Sequence, residues 1–224
     1  MARRADGSRD RAGHSGLMGT ARIDHVLYAA PELEAAVADL AARLGVRAAG
    51  GGQHPGVGTH NRLLGLGPHT YLEVIAPDPS QPGPALPRPY GVDGVTSGRV
   101  VGWALTVDDI DAAVARARAA GFDPGEVLDG QRRTPDGELL RWRLTANART
   151  AGVVPFLIDW GGTPHPARSA PAGLALASLH IEHPEPANVL AALRALGVEV
   201  EVRAASTEAL VMRVDGPNGM VEVR

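Results

Sequence analysis

The chain alternates short apolar strands with amphipathic helices, and the first such unit spans residues 23–75. It begins with an apolar strand at residues 23–28 and continues with a helix whose apolar residues recur at helical spacing between Pro31 and Gly45. Two strands are predicted next, before a final apolar strand at residues 71–75. The pattern therefore predicts the order strand, helix, strand, strand, strand.

The same order recurs in two further units. Proline-rich connectors, which can form neither a regular helix nor a central strand, separate the three units. The three predicted helices end at Gly45, Gly121 and Gly197, which are evenly spaced along the chain. The chain is therefore predicted to contain an internal repeat. The predicted strands of the second and third units lie at residues 100–107, 125–132, 138–144, 153–160, 176–182, 198–203, 209–214 and 220–223.

The composition favours a globular protein and excludes several kinds of chemistry. A chain of 224 residues with 44% hydrophobic content can bury a substantial core. The net charge is only -3, with both signs interspersed, so neither nucleic acid nor an anionic membrane is an expected partner. Cysteine is absent, which leaves His, Asp and Glu as strong metal ligands. Every basic residue is Arg, which excludes a Schiff-base lysine and a Walker lysine.

Residues 1–20 differ from the rest of the chain. They are polar and rich in Gly and Arg, and they lack the apolar segment of a secretory signal, so we expect a disordered leader. No apolar run in the sequence approaches the length that spans a bilayer. The sequence therefore predicts a cytoplasmic protein.

Two polar residues stand inside the apolar strands of the first unit. Side chains alternate between the two faces of a strand, so His25 shares a face with Ile23 and Leu27, while Glu73 shares one with Tyr71. If the two strands belong to one sheet, the imidazole and the carboxylate can face one cavity. Such a buried pair is explained either by a divalent metal or by a hydrogen bond between the two side chains.

The order of these motifs resembles a known superfamily. A first-strand Ile-Asp-His-Val at residues 23–26, the loop at residues 54–61 and Tyr-Leu-Glu-Val-Ile-Ala-Pro at residues 71–77 are similar to those of the vicinal oxygen chelate superfamily. That superfamily contains glyoxalases, extradiol dioxygenases and bleomycin-resistance proteins. More narrowly, the chain resembles the glyoxalase-like family found in many bacterial genomes. The resemblance covers residues 21–160, and the third unit is a looser fit.

The resemblance implies an α+β fold built from tandem βαβββ modules. Two modules, at residues 21–76 and 99–160, would form one domain of cupped mixed or antiparallel sheets, with helices on the convex face and a ligand cavity inside. The third module, at residues 174–224, would be a degenerate copy. It would extend or cap the fold, or would pair with its counterpart in a second chain and so form a homodimer.

The resemblance also implies a metal site between the two modules. Carried onto this chain, its ligands would be His25, Glu73 and Asp159, while Trp103 stands near the place where a second histidine is often found. His60 is an alternative ligand. Such an oxygen-rich set would hold a divalent ion, with Mg, Mn, Fe or Ni suited better than Zn in a closed structural site. Glu73 has a second candidate role, as the catalytic base that removes a proton beside a carbonyl group.

Other residues are candidates for substrate binding. The loop at residues 54–61 presents Thr59, His60 and Asn61, which can donate and accept hydrogen bonds. Trp103 would form a flat apolar wall if it faced the cavity.

Two functions fit these observations. The first is a metal-assisted lyase, isomerase or oxygenase that acts on a small oxygenated metabolite. The second is a protein of the bleomycin-resistance type, which binds and sequesters a small molecule without a metal.

Overall fold

A computed structural model of the chain describes residues 21–84, 86–149 and 152–224, so the predicted leader lies outside the described residues. The described part follows the predicted order of elements. The first module comprises β1 (Arg22–Ala29), α1 (Leu33–Leu44), β2 (Ala49–His54), β3 (Thr59–Gly67) and β4 (Thr70–Pro77). The second comprises β5 (Arg99–Thr106), α2 (Ile110–Ala119), β6 (Val127–Arg133), β7 (Leu139–Thr145) and β8 (Phe156–Asp159), and the third comprises β9 (Ala175–His183), α3 (Pro186–Leu196), β10 (Glu201–Ala204), β11 (Ala209–Gly216) and β12 (Gly219–Val223).

The first two modules together form one closed barrel. Its strand order is β1, β4, β3, β2, β6, β7, β8, β5, and the ring closes where β5 pairs with β1. Within each module the first and last strands are parallel neighbours, β1 with β4 and β5 with β8. The modules meet at β1 with β5 and at β2 with β6. The predicted α+β class is confirmed, and the two cupped sheets enclose a single interior.

Alternation along the strands separates the barrel interior from the outer core. Leu27 and Ile75 pack together inside the barrel, whereas Val26 and Leu72 belong to the outer cluster that also contains the helices. The face sharing predicted for β1 and β4 is therefore observed. His25 and Glu73 lie on the interior face, in phase with Leu27 and Ile75.

Local sequence explains where the helices begin and end. The side chain of Glu32 accepts a hydrogen bond from the backbone N–H of Ala35 at the start of α1, and Gly45 ends that helix with φ of 80°. At the start of α2 the side chain of Asp109 accepts a hydrogen bond from the backbone N–H of Ala112. Among the described residues, no helix is long and apolar enough to cross a membrane.

The third module forms a separate sheet that packs on the outside of the barrel. Its strand order is β10, β9, β11, β12, so the last strand β12 is not a neighbour of the first strand β9. Glu222 on β12 therefore lies opposite Arg213 of β11, and His180 on β9 lies opposite Val211 of the same strand. Residues of this sheet such as Ile181 belong to the outer core of the barrel, so the module extends the fold within one chain. A homodimer stays a prediction, as does the division into domains.

Candidate active site

The barrel encloses a small cavity, and Val57, Asp129 and Gln131 are the exposed residues among those that line it. Its volume is about 140 Å³, which is below the roughly 300–1,000 Å³ of pockets for drug-sized ligands. The walls are mainly apolar and aromatic, with a few polar groups that converge on one side. Its principal polar lining residues are His25, His54, Thr59, Asn61, Tyr71, Glu73, Tyr90 and Arg132, and its principal apolar ones are Leu63, Ile75, Leu128, Trp142, Leu144, Phe156, Ile158 and Trp160.

His25 and Glu73 face each other across this polar side. The distance between His25 Nε2 and Glu73 Oε2 is 3.5 Å, and both side chains are buried. Their strands are parallel neighbours, with His25 opposite Tyr71 and Leu27 opposite Glu73, so the two side chains project from one sheet into one space. The pair predicted from the sequence is therefore brought together.

Asp24 fixes the orientation of the His25 ring. Its side chain is fully buried, and Oδ1 lies 2.6 Å from His25 Nδ1. Oδ2 accepts hydrogen bonds from Trp160 Nε1 and from His165 Nε2, each at 3.0 Å. Burial by itself raises the pKa of the Asp24 carboxyl, but the hydrogen bonds from His165 and His25 outweigh burial and hold that pKa far below its usual range. Asp24 is therefore a carboxylate that only accepts hydrogen bonds.

This arrangement determines which nitrogen of each histidine carries a proton. Because Asp24 only accepts, His25 donates through Nδ1, and His165 donates through Nε2. The second nitrogen of His165 accepts from the backbone N–H of Ala167, which fits the same tautomer. His25 Nε2 then presents a lone pair toward Glu73 Oε2, so two acceptors face each other unless a proton or a cation lies between them. The lone pair of His25 Nε2 and the carboxylate oxygen of Glu73 are thus directed at each other beside the cavity.

Asn61 holds the other oxygen of Glu73. Asn61 Nδ2 donates to Glu73 Oε1 at 2.8 Å, and Asn61 Oδ1 accepts from the backbone N–H of Gly52 at 2.9 Å. The Gly52 contact leaves the amide nitrogen as the group that faces Glu73. Asn61 thus orients the carboxylate so that Oε2 points to His25.

His54 is a third polar residue beside Glu73. Its Nε2 lies 3.9 Å from Glu73 Oε1, and its Nδ1 lies 2.8 Å from Thr59 Oγ1. Burial lowers the pKa of His54 to about 4, so the ring is neutral near pH 7. A neutral imidazole carries one N–H and one lone pair, which lets His54 bridge Thr59 and the cavity.

Aromatic rings hold the catalytic candidates in place. Tyr71 stacks on the His25 ring, with centroids 4.7 Å apart and an angle of 18° between the planes, and Phe156 meets the same ring edge-on at 5.6 Å. Trp142 and Trp160, which also line the cavity, contact each other with centroids 5.2 Å apart. These contacts restrict the ring of His25 to one orientation.

The predicted binding loop is divided between two faces of β3. Thr59 and Asn61 line the cavity, whereas His60 lies between them and points out of the barrel. Burial lowers the pKa of His60. His60 is therefore not in contact with the interior, and it cannot supply the second histidine that an extradiol-type iron site would need.

Two other predicted residues also lie outside the cavity. In β5 the residue opposite His25 is Ala104, and Trp103 faces the outer core, where its Nε1 donates to the carbonyl of Val153 at 2.7 Å. In β8 the interior position belongs to Ile158, so Asp159 points to the start of α2. Its oxygens accept from the backbone N–H of Gly161 at 2.8 Å and of Ile110 at 3.4 Å. The expectations that Trp103 forms a cavity wall and that Asp159 joins His25 and Glu73 are corrected here.

The predicted three-ligand metal set is therefore not assembled. Within residues 21–84, 86–149 and 152–224, no group of three or more His, Asp or Glu side chains has a geometry that could hold a metal ion. The second module contributes Ala104 and Ile158 at the positions that would complete the set. The donors do not fit the implied site, and metal binding by His25 and Glu73 alone stays a prediction.

Sequence reasoning missed several of the residues that form this site. Asp24 was visible as the neighbour of His25, but strand alternation places adjacent side chains on opposite faces, and only an irregularity in the β1–β5 pairing between Ile23 and His25 lets them meet. His165 lies in a connector and gave no sequence signal. Arg132 follows Leu128 and Gly130 in phase, which is the signal that could have placed it inside.

Comparison with known families fits this architecture. A family model described as a glyoxalase-like domain matches residues 23–197. The chain belongs to the glyoxalase-like domain family. The resemblance to the vicinal oxygen chelate superfamily is thereby confirmed, and the family match extends through the helix of the third module.

Solved structures of other proteins are similar to this chain to different degrees. A hypothetical protein from Staphylococcus aureus is 14% identical, with a TM-score of 0.58 and coverage of 84% of this chain and 88% of that chain. A variant of the Streptomyces coelicolor methylmalonyl-CoA epimerase, in complex with 2-nitronate-propionyl-CoA, is 21% identical, with a TM-score of 0.43 and coverage of 66% and 99%. The methylmalonyl-CoA epimerase from Mycobacterium tuberculosis is 22% identical, with a TM-score of 0.41 and coverage of 61% and 86%. The first likeness shows the fold, and no curated protein matches the chain.

Proposed function

We propose that this glyoxalase-like protein is an acid–base enzyme of the isomerase or lyase class, acting on a small metabolite with an acidic C–H beside a carbonyl group. The observation that carries the proposal is the line of Asp24, His25 and Glu73 at the wall of an apolar cavity. Glu73 is the base, His25 exchanges a proton with it, and Asp24 holds the tautomer of His25.

The proposed step moves one proton and one electron pair. The C–H proton passes to Glu73 Oε2, and the electrons of the C–H bond move onto the neighbouring carbonyl oxygen. In an isomerase, a proton then returns from the His25–Glu73 pair to the opposite face of that carbon or to another carbon. In a lyase, the enolate electrons form a C=C bond, and a leaving group departs from the next carbon with its bonding electron pair. The apolar walls exclude water, so water does not protonate the enolate before the His25–Glu73 pair does.

Proton exchange in D2O tests this proposal. A panel of small 2-oxo acids, 3-oxo acids and thioesters is incubated with the protein, and loss of the proton signal beside the carbonyl is followed by NMR. We expect exchange by the native protein and a reduction of at least roughly 100-fold for Glu73→Gln. The matched control is Glu222→Gln, because Glu222 is an exposed carboxylate on the edge strand β12.

Two outcomes would contradict the proposal. Exchange at the native rate in Glu73→Gln would remove Glu73 as the base. Tight binding of panel members without any exchange would favour the second function, a protein that sequesters a small molecule, which the apolar and aromatic lining also supports. Repeating the assay after chelator treatment, and after adding Mg, Mn, Fe, Ni or Zn, shows whether the reaction requires an ion.

A further inference from the structure

Arg132 is a buried cation whose charge no other part of the described chain neutralises. Its side chain lines the cavity and the residue is only 5% exposed. Among the described residues, none forms a hydrogen bond or an ion pair with its guanidinium group, including Glu73 and Asp129, the two carboxylates that line the same cavity. Among the described residues, no fully buried side-chain nitrogen or oxygen lacks a hydrogen-bond partner, so the unpartnered guanidinium nitrogens remain accessible from the cavity, where a ligand can accept from them.

The strand β6 places this arginine in the cavity for a clear reason. Leu128, Gly130 and Arg132 alternate with exposed residues along the strand, so all three face the interior. Arg133, the next residue, is exposed and donates instead to the carbonyl of Gly137 at 2.9 Å. Two adjacent arginines therefore occupy opposite environments, and only one of them lacks a partner.

Two tyrosine hydroxyls join Arg132 at the cavity. Tyr71 and Tyr90 both line it, and their hydroxyls make no hydrogen bond to any described residue. Burial raises the pKa of both phenols, so each hydroxyl keeps its proton and can donate. Tyr90 has φ of 60°, a left-handed conformation that is uncommon for a bulky residue and that the surrounding packing maintains.

We propose that Arg132, Tyr71 and Tyr90 bind the anionic group of the ligand, so that the cavity selects small carboxylic acids with an apolar body. The guanidinium accommodates both carboxylate oxygens through its forked donors, and the phenols donate to the same group. The body of the ligand packs against Trp142 and Phe156. This inference rests on the proposed function in one respect: the bound acid is the molecule that Glu73 deprotonates.

Matched acids and amides test the inference directly. Phenylacetate and 2-naphthylacetate are compared with their primary amides, which have the same shape without the charge, by calorimetric titration at pH 7. We expect the native protein to bind each acid roughly 10- to 100-fold more tightly than its amide, as a charge-assisted pair in a water-poor site implies. Equal affinities for acid and amide, or no saturable binding of either acid, would overturn the inference.

Variants of the two adjacent arginines identify the responsible residue. Arg132→Gln should lower the affinity for each acid to that for its amide, Arg132→Lys should retain part of the preference, and Arg133→Gln should change neither. Loss of affinity for acid and amide alike in a folded Arg132→Gln protein would overturn the assignment, and far-ultraviolet circular dichroism checks the fold.

The acid preference and the proton exchange can fail separately. Acid selectivity without exchange would leave the anion site intact while removing the proposed reaction. Exchange of neutral thioesters and of acids at equal rates would retain the reaction while overturning the anion site. If Arg132→Gln does not fold, the acid and amide affinities of the native and Arg132→Lys proteins decide the question.

Discussion

Replacing Asp24 by Asn tests whether this buried carboxylate supports both the stability of the barrel and the state of His25. Asp24 accepts three hydrogen bonds, from His25 Nδ1 at 2.6 Å and from Trp160 and His165 at 3.0 Å. A hydrogen bond to a charged group contributes about 1.5–3 kcal/mol, against about 0.5–1.5 kcal/mol for a neutral one. Removing the charge therefore weakens each bond by about 1 kcal/mol, or about 3 kcal/mol in total.

The asparagine side chain adds a second effect, because its terminal nitrogen donates hydrogen bonds where the carboxylate oxygen of Asp24 accepts them. If the amide nitrogen faces His25, that ring must accept at Nδ1, and its proton moves to Nε2 beside Glu73. We therefore expect the free energy of unfolding to fall by about 3 kcal/mol, and Tm by roughly 6–12 °C. We also expect proton exchange to slow, because His25 then presents the wrong tautomer to Glu73.

Urea unfolding followed by tryptophan fluorescence measures the stability, and nitrogen NMR of the imidazole reports the tautomer. The matched control is Asp39→Asn, whose carboxylate is 58% exposed and makes one contact with Arg43. That surface pair contributes little, so the control should lie within about 1 kcal/mol of the native protein. An Asp24→Asn protein as stable as the Asp39→Asn control, with the tautomer of His25 unchanged, would refute the reasoning.

Three further predictions concern the walls and supports of the barrel. Gly130→Ala places a methyl group against Trp142 Nε1, so the indole must move. We expect the affinity for 2-naphthylacetate, measured by calorimetry, to fall at least roughly 10-fold. An unchanged affinity would contradict the placement of Gly130 against Trp142. Trp103→Phe removes the hydrogen bond to the Val153 carbonyl and should lower the free energy of unfolding by about 1–3 kcal/mol. Ligand affinity should not change, because the indole lies in the outer core and not in the cavity. A loss of ligand affinity without a loss of stability would contradict this prediction. Burial raises the pKa of the Asp78 carboxyl, but hydrogen bonds from neighbouring side chains and a backbone N–H lower it to about 2. This carboxylate therefore adds about 2 kcal/mol of stability above pH 4 that is lost as the pH falls toward 2, and the difference in unfolding free energy between native protein and Asp78→Asn should shrink by that amount over this interval.

Much of the barrel could be predicted from the spacing of apolar residues and glycines along the sequence. Alternation along β1 and β4 placed His25 and Glu73 on one face, and glycines such as Gly45 marked the ends of helices. Both features are local, because a strand exposes every second residue to one side and a left-handed cap favours glycine. The pairing of strands in the third module was not predictable in this way, since register and neighbour choice depend on contacts distant in sequence.

The second half of the site was harder to predict for the same physical reason. Aligning helices between modules left the phase of β5 undetermined by one residue, and one residue moves Trp103 from the interior to the outer core. The same shift in β8 exchanges Asp159 for Ile158. Arg132 was overlooked because a charged residue in a polar strand is ordinarily exposed. Its burial becomes visible only in the folded barrel.

Closure of the barrel by two modules of a single chain has a consequence for how many ligands it holds. A barrel formed by two identical chains would repeat every interior residue by symmetry, and each polar group would occur twice. Here one module contributes His25, Asn61 and Glu73, the other contributes Arg132, and both contribute apolar residues. The interior therefore carries each of these polar groups once. We therefore expect one ligand molecule per chain, bound in one orientation.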